Sequence, residues 1–192
     1  MSYKVLSAAG IAAIIVATLA GLIFLTDRPY LQGSVIDPPL PGAEIGLNET
    51  NGRPFVLEDQ RGKVTLISFG YTNCPDECPL TMANLKLAVE MLGSDADRTT
   101  VVLVTTDPER DTPDVLRTFL DRFNTGFMGL TGPAEDLARV WKAYGVTVMD
   151  GGETHSNYVY VIDKSGNLVE TILADAGAAA IAEDIRTLLS ED

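Results

Sequence analysis

The sequence predicts an α/β fold in which a central mixed sheet is flanked by helices, preceded by one N-terminal transmembrane helix. Near-continuous apolar stretches of strand length alternate with segments whose apolar residues recur at helical spacing. An uncharged apolar run lies close to the N-terminus. Both cysteines of the chain follow the first strongly apolar stretch.

Composition limits the functions that the chain can have. At 192 residues it is long enough for one domain with accessory segments. With 46% hydrophobic and 21% charged residues, it can form a packed core, which argues against global disorder. A net charge of −13 argues against a nucleic-acid partner, because binding to phosphates needs a basic surface.

The apolar run from Ala8 to Leu25 is the predicted anchor. It contains no charged residue, and as a helix it spans about 27 Å, close to the thickness of the bilayer's hydrocarbon core. Tyr3 and Tyr30 flank it at the positions of interfacial aromatic residues. Lys4 and the α-amino group lie on the short side, which predicts a cytoplasmic N-terminus and an exported domain.

The predicted boundaries follow from this anchor. Residues 1–6 form the cytoplasmic N-terminus and residues 7–25 the membrane span, although a signal peptide cleaved near Thr18-Leu19-Ala20 is an alternative. Residues 26–45 hold four prolines without a periodic pattern, which is typical of an extended tether. Residues 46–192 form the folded domain. The predicted location is a bacterial inner membrane, with this domain in the periplasm.

Elements in the first half of the domain are predicted from apolar patterns and turn residues. Arg53–Leu57 is predicted to be a short strand, and Arg61-Gly62 a turn. Lys63–Tyr71 and Thr99–Thr106 are predicted to be buried strands. Between them a helix is expected from Pro79 to Leu92, ended by Gly93, with its inward stripe formed by Met82, Leu85, Val89 and Leu92.

In the second half, prolines mark the helix starts. Helices are expected from Pro113 to about Phe123 and from Pro133 through Tyr144, with a weaker strand between them. Strands Tyr158–Ile162 and Leu168–Leu173 are expected to form a hairpin. An Ala-rich helix closes the chain, and its inward-facing residues are Ile181, Ile185, Leu188 and Leu189. The thiol pair at the junction of the first buried strand and the first long helix indicates a thioredoxin-like arrangement.

The segment GYTNCPDECPLT, residues 70–81, holds the two cysteines, Cys74 and Cys78. Because a residue before proline is disfavoured in the α region, Pro79 predicts a helix start at Pro79, with Cys78 near the N-cap. Both sulfurs then lie at the positive end of a helix dipole, which favours thiolates. Asp76 and Glu77 act in the opposite direction, so the net effect on the thiol pKa stays open.

Three roles compete for this pair. A structural disulfide would close a short loop and stabilise the fold by only about 2 kcal/mol. A redox couple is feasible because Cα atoms four residues apart in a turn lie within disulfide reach, although C-x3-C is longer than the usual C-x-x-C. A pair of metal ligands requires a further donor from elsewhere in the chain.

His155 is the candidate third ligand and the single histidine of the chain. It precedes the strand that starts near Tyr158. In a thioredoxin-like sheet the loop before that strand faces the cysteine loop. The alternative is that His155 is an exposed bystander.

Two thiolates and one imidazole form a soft donor set that suits Cu(I), or Cu(II) with a weak fourth ligand. Structural zinc normally has four protein ligands, and the sequence offers no clear fourth. Met82 and Met149 are candidate thioethers, although Met82 fits the helix's core stripe better. The residues therefore favour copper over zinc.

Three segments resemble the SCO/SenC family of copper-binding proteins in cytochrome c oxidase assembly. They are ISFGYTNCPDECPLTMANL, TTDPERDTP from Thr105 to Pro113, and HSNYVYVIDKSGNL from His155 to Leu168. The likeness extends over about residues 45–190. It implies a thioredoxin-like fold and one copper bound by Cys74, Cys78 and His155.

The resemblance also implies a role. Family members are implicated in delivering copper to the binuclear site of oxidase subunit II, or in reducing that subunit's cysteines. A membrane-anchored periplasmic copper chaperone is the leading hypothesis, with subunit II and a periplasmic copper donor as partners. The alternative is an enzyme, a thiol–disulfide oxidoreductase with Cys74 and Cys78 as its redox pair. A thiol peroxidase has little support.

The segment DPERDT follows the second buried strand and is a further candidate for function. Asp107 and Arg110 are expected near the metal loop, where they would tune it or contact a partner. An equally good interpretation is a turn whose polar groups are satisfied locally as it enters the next helix.

Overall fold

A seven-stranded mixed sheet organises the chain in a computed structural model, which describes residues 31–149 and 157–191. The strands are β1 (Ser34–Pro41), β2 (Asn48–Glu49), β3 (Val64–Gly70), β4 (Thr99–Thr105), β5 (Met128–Thr131), β6 (Tyr158–Ile162) and β7 (Asn167–Leu173). The helices are α1 (Glu77–Leu92), α2 (Pro113–Asp121), α3 (Ala134–Ala143) and α4 (Ala178–Ser190). Short 3-10 turns cover Leu57–Gln60 and Gly93–Arg98.

The strand order is β1-β7-β6-β3-β4-β5-β2. The central strands β3, β4 and β5 run parallel, while β6 is antiparallel to β3 and β7 is antiparallel to β6. Every residue of β3 is buried, as expected for a strand with both faces covered. The predicted α/β class with a central mixed sheet flanked by helices is confirmed.

Two apolar clusters lie on the opposite faces of this sheet. Alternate residues of β3 enter different clusters, because successive side chains of a strand point to opposite faces. Leu66 packs in the cluster that includes α1, α2 and α4. Ile67 packs in the cluster that includes α3 and the turn at Leu57. Strand β3 is therefore packed on both faces, and the following loop starts from its buried carboxyl end.

Most predicted elements of the domain are confirmed. The inward stripe of α1 is buried except for Val89, which is partly buried against the same cluster. The four predicted residues of α4 are buried. The β6–β7 hairpin forms, and Gly166 in its turn has φ +84°, a conformation that glycine adopts without strain. Helices α2 and α3 lie at their predicted positions, although α3 begins at Ala134 with Pro133 as its cap.

The predicted tether, residues 26–45, is wrong over residues 34–41, which form β1. This strand pairs antiparallel with β7, with Ser34 opposite Thr171 and Val35 opposite Glu170. Its prolines are compatible with a strand because β1 lies at the edge of the sheet, where a missing N–H costs no ladder hydrogen bond.

The short strand predicted at Arg53–Leu57 is also wrong. Pro54 makes only an isolated bridge with Asn48, and Leu57 opens a 3-10 turn. The pairing at this side of the sheet is made instead by β2, which is antiparallel to β5. Two residues are too few to produce the alternation by which a strand is recognised in a sequence.

The predicted cytoplasmic segment, residues 1–6, and the predicted anchor, residues 7–25, lie outside the described residues. Within residues 31–149 and 157–191, no helix has both the length and the apolar character needed to cross a bilayer.

A buried pair of carboxyl groups lies where the described chain begins. The Gln32 amide donates to Asp184 Oδ1 at 2.9 Å, and the Gly33 amide donates to Glu170 Oε1 at 2.6 Å. Both acidic residues are fully buried. Burial, followed by the charge of Asp184, raises the pKa of Glu170 to about 7, and burial also raises the pKa of Asp184. The pair thus favours a state that retains a proton on Glu170.

Candidate metal centre

The cysteine loop joins the carboxyl end of β3 to the start of α1. The helix begins at Glu77, with Asp76 as its N-cap, so the predicted start at Pro79 is two residues late. Cys78 is the second helical residue, and Pro79 is the third. Proline is tolerated there because the first-turn N–H groups have no partner within the helix.

The two thiols lie next to each other at this helix terminus. The Cys78 amide donates to Cys74 Sγ at 3.4 Å, and the Cys74 amide donates to the Tyr71 carbonyl oxygen at 3.3 Å. Both cysteines are partly buried, and no disulfide joins them in this structure. A pair of reduced sulfurs is therefore held together by the local backbone.

Gly70, the last residue of β3, makes room for this arrangement. A Cβ atom placed on Gly70 would lie 2.7 Å from Cys78 Sγ, closer than real Cβ contacts. The neighbouring side chain of Leu103 is 3.6 Å from the same point. The sulfur of Cys78 thus packs directly against the backbone at the end of the central strand.

Burial raises the pKa of the Cys78 thiol to about 12. A hydrogen bond with the Tyr71 backbone lowers the pKa in part, but contact with Cys74 and the charge of Glu77 raise it further. The sequence leaves this balance open, and for Cys78 desolvation is the largest contribution. The thiol of Cys78 is therefore protonated at neutral pH in the absence of metal.

A cavity of about 270 Å³ opens beside the two sulfurs. One wall consists of the cysteine loop and the first turns of α1. The other side includes Asn157 and Tyr158, at the start of β6. The cavity is therefore bounded by two segments that are far apart in sequence and that a thioredoxin-like sheet is expected to bring together.

Of the predicted ligands, Cys74 and Cys78 are brought together, whereas His155 lies outside the described residues. Among residues 31–149 and 157–191, no cluster of three His, Cys, Asp or Glu side chains is arranged to hold a metal ion. Met82 is fully buried in the core, as its stripe predicts, and it also lines the cavity. Met149 is exposed and is not among the described residues that line it.

Asp107 and Arg110 form an ion pair within the turn that follows β4. The Asp107 carbonyl oxygen accepts the amides of Arg110 and Asp111 at 3.2 and 2.9 Å. Neither Asp107 nor Arg110 is among the described residues lining the cavity. The geometry favours the interpretation that this segment is a turn before α2 whose polar groups are paired within the turn itself.

Asp111, in the same segment, is the residue that sequence analysis missed. It is fully buried, and its carboxylate accepts hydrogen bonds from the Thr72 amide, the Thr72 hydroxyl and the Thr105 hydroxyl. Thr72 belongs to the cysteine loop. The sequence shows only that an acidic residue lies in the predicted turn. It does not reveal that this residue contacts Thr72, which is 39 positions away in the chain.

A thiol pair at the strand-to-helix junction of a mixed, helix-covered sheet defines a thioredoxin-like protein. More specifically, the chain belongs to the SCO1/SenC family, whose model matches residues 38–190. An SCO2-like protein of Rickettsia typhi is 32% identical over 90% of this chain and 92% of its own length.

Solved structures give the same result. ScoI of Bradyrhizobium japonicum with copper bound matches with a TM-score of 0.67 and 30% identity, over 77% of this chain and 99% of that one. Yeast Sco1 with copper bound matches with a TM-score of 0.70 and 28% identity, over 80% and 91%. Among sequence relatives, a protein of Stutzerimonas stutzeri named "Putative copper-binding protein" is 37% identical, but the match covers only 61% of its length and 65% of this chain. These likenesses confirm the thioredoxin-like fold of the Sco proteins.

Proposed function

We propose that this protein is a copper chaperone that holds one copper ion through Cys74, Cys78 and His155. The observation that carries the proposal is the contact between the Cys78 amide and Cys74 Sγ, beside a cavity that both residues line. Two adjacent sulfur donors with an open side suit a soft metal ion that must be bound and then released. The copper-bound structures of two relatives support the choice of metal.

His155 is proposed as the third ligand on grounds of chain connectivity. Asn157, two residues later, lines the cavity that holds the thiols. Two residues of extended chain span at most about 7 Å. We therefore propose that the imidazole of His155, so close in sequence to this wall of the cavity, completes a three-donor set.

Loading of copper as cargo requires both thiols to lose their protons. Because burial keeps the Cys78 pKa at about 12, metal binding must displace a proton from that sulfur. The same burial protects the metal-free thiol from deprotonation and oxidation at neutral pH.

We further propose that residues 7–25 anchor the chain in a bacterial inner membrane, with the domain in the periplasm. The apolar, uncharged sequence supports this topology. Anchoring would raise the effective concentration of the site near a membrane-bound acceptor. The proposed acceptor is the binuclear copper site of cytochrome c oxidase subunit II, and a periplasmic copper donor would supply the ion.

A reductase is the second candidate. The close approach of the Cys74 sulfur and the Cys78 backbone favours it, since a dithiol of this kind can form a disulfide while reducing one in a partner. Under this hypothesis Cys74 and Cys78 suffice, and His155 is dispensable.

The experiment that separates the chaperone from the reductase compares the wild type with His155→Ala in the full chain. Copper stoichiometry and Cu(I) affinity are measured in parallel with reduction of a disulfide in a subunit II fragment. The chaperone requires one copper per chain and a marked loss of affinity in the variant. Unchanged affinity, together with rapid reduction of the subunit disulfide by both proteins, would favour the reductase.

A further inference from the structure

We propose that Asp111 is a positioning residue for the thiol pair, which it influences by holding Thr72 in the cysteine loop. The proposal rests on the proposed function to the extent that Cys74 and Cys78 are its working groups. It assigns a role to the DPERDT segment different from the one expected for Asp107 and Arg110.

Both carboxylate oxygens of Asp111 accept hydrogen bonds, and these bonds join the cysteine loop to the end of β4. Oδ1 accepts from the Thr72 hydroxyl at 2.5 Å and from the Thr72 amide at 3.2 Å. Oδ2 accepts from the same amide at 3.2 Å and from the Thr105 hydroxyl at 2.7 Å. Asp111 is fully buried, so these hydrogen bonds are made without competition from bulk water.

Both ends of this connection are anchored in the fold. Thr105 is the last residue of β4, and the Thr106 amide donates to the Gly70 carbonyl oxygen at 2.9 Å. The turn that carries Asp111 is thereby attached to the end of the central sheet. On the other side, Thr72 lies two residues before Cys74, and the Tyr71 carbonyl oxygen accepts the Cys74 amide.

The two cysteines are held by different means. Cys78 is part of α1, and its sulfur packs against Gly70. Cys74 precedes the helix and depends on the loop for its position. Loss of the Asp111–Thr72 contacts would therefore move Cys74 relative to Cys78 and leave the helix in place.

A carboxylate suits this position because all three groups directed at it are donors. An amide in its place directs an N–H toward groups that already donate, and at least one buried hydrogen bond is lost. The Asp111→Asn variant is therefore nearly isosteric but weakens the set of hydrogen bonds that joins Thr72 to the end of β4. Asp107→Asn is a matched control from the same turn, because Asp107 pairs with Arg110 and is not among the described residues that line the cavity beside the thiols.

The test measures the equilibrium between the dithiol and disulfide forms of Cys74 and Cys78 in the copper-free full chain. Dithiothreitol is the redox partner: its oxidised form accepts the two electrons and two protons released when the S–S bond forms. We expect Asp111→Asn to lower the equilibrium constant for disulfide formation by about tenfold, equivalent to about 30 mV. Asp107→Asn should remain at the wild-type value.

Two further variants separate positioning from general stability. Leu92→Ala removes core packing at the far end of α1 and should lower the melting temperature without changing the redox equilibrium. Thr72→Val removes the hydroxyl partner and should shift the equilibrium in the same direction as Asp111→Asn, with no additive effect in the double variant. If Asp111→Asn does not fold, Thr72→Val tests the same contact.

A wild-type equilibrium constant in both Asp111→Asn and Thr72→Val would overturn the proposal, as would an equal shift in Leu92→Ala. Because copper is absent from this measurement, its outcome is independent of the proposed copper function. Failure of the wild-type chain to bind copper would refute the chaperone alone. Wild-type copper binding with an unshifted equilibrium would refute the positioning role alone.

Discussion

Gly70 and Cys78 approach so closely that a single added methyl group on Gly70 would lie 2.7 Å from the Cys78 sulfur. The first residue ends the central strand, and the second lies in the first turn of the helix that carries the thiol. The position of the sulfur is therefore set by the backbone of β3.

Gly70→Ala is expected to displace Cys78 and weaken Cu(I) binding by at least about tenfold. Overpacking of this kind also destabilises a fold by about 1–3 kcal/mol. Gly129→Ala, on β5, is a matched control, because its Cβ would lie 2.7 Å from Leu116 of α2, away from the cysteines. It should show a similar loss of stability by urea unfolding while retaining wild-type copper affinity. Equal affinities in all three proteins would contradict the account.

Cys78 is expected to resist alkylation at pH 8 because its pKa is about 12. At that pH only about one thiol in ten thousand is ionised, and the thiolate is the reactive form. In a Cys74→Ser variant, iodoacetamide should modify Cys78 at least about 100-fold more slowly in the folded protein than in urea. Mass spectrometry measures both rates. Similar rates in the two states would show that burial does not control this thiol.

The stability contributed by Glu170 is expected to fall as the pH rises from about 4.5 toward about 7. Its folded pKa is about 7 against an ordinary value of 4.5, so between these values the folded state binds more protons than the unfolded state. Ionisation in the fold costs about 3 kcal/mol for a shift of this size. Urea unfolding of the wild type and of Glu170→Gln at pH 5 and pH 8 measures the difference.

The glutamine variant should lose less stability than the wild type between these two pH values. Hydrogen exchange at the Gln32 and Gly33 amides should also increase with pH beyond the intrinsic rate in the wild type, since both amides donate to this pair. Parallel stability curves for the two proteins would argue that Glu170 ionises normally.

Removal of β1 is expected to destabilise the domain, although the sequence assigns residues 34–41 to a tether. A chain starting at residue 46 loses the pairing with β7 and leaves Glu170 and Asp184 without their amide donors. Each buried acceptor left without a partner costs about 1–3 kcal/mol. Urea unfolding of chains starting at residues 31 and 46 measures the loss. Equal midpoints would mean that β1 acts as a tether after all.

The sequence predicts those parts of the fold whose signal is local. Strand β3 and the stripe of α1 were predicted because apolar residues at short spacing indicate burial. Cys74 and Cys78 were recognised together because they are four positions apart on one loop. His155 stays a prediction.

The parts of the fold that the sequence predicts wrongly or misses depend on partners that are distant in the chain. Strand β1 contains prolines and depends on β7, with a hydrogen bond from Gly33 to Glu170 across 137 positions. Gly70 and Asp111 act through close contacts that leave no periodic pattern. Such residues become evident only when the sheet brings distant segments together.

X-ray absorption spectroscopy at the copper edge, on the copper-loaded full chain, tests the central proposal most directly. The account predicts two sulfur donors and one imidazole nitrogen around a single copper, with loss of the imidazole signal in His155→Ala. A spectrum with no imidazole in the wild type, or one unchanged in His155→Ala, would contradict the three-ligand site.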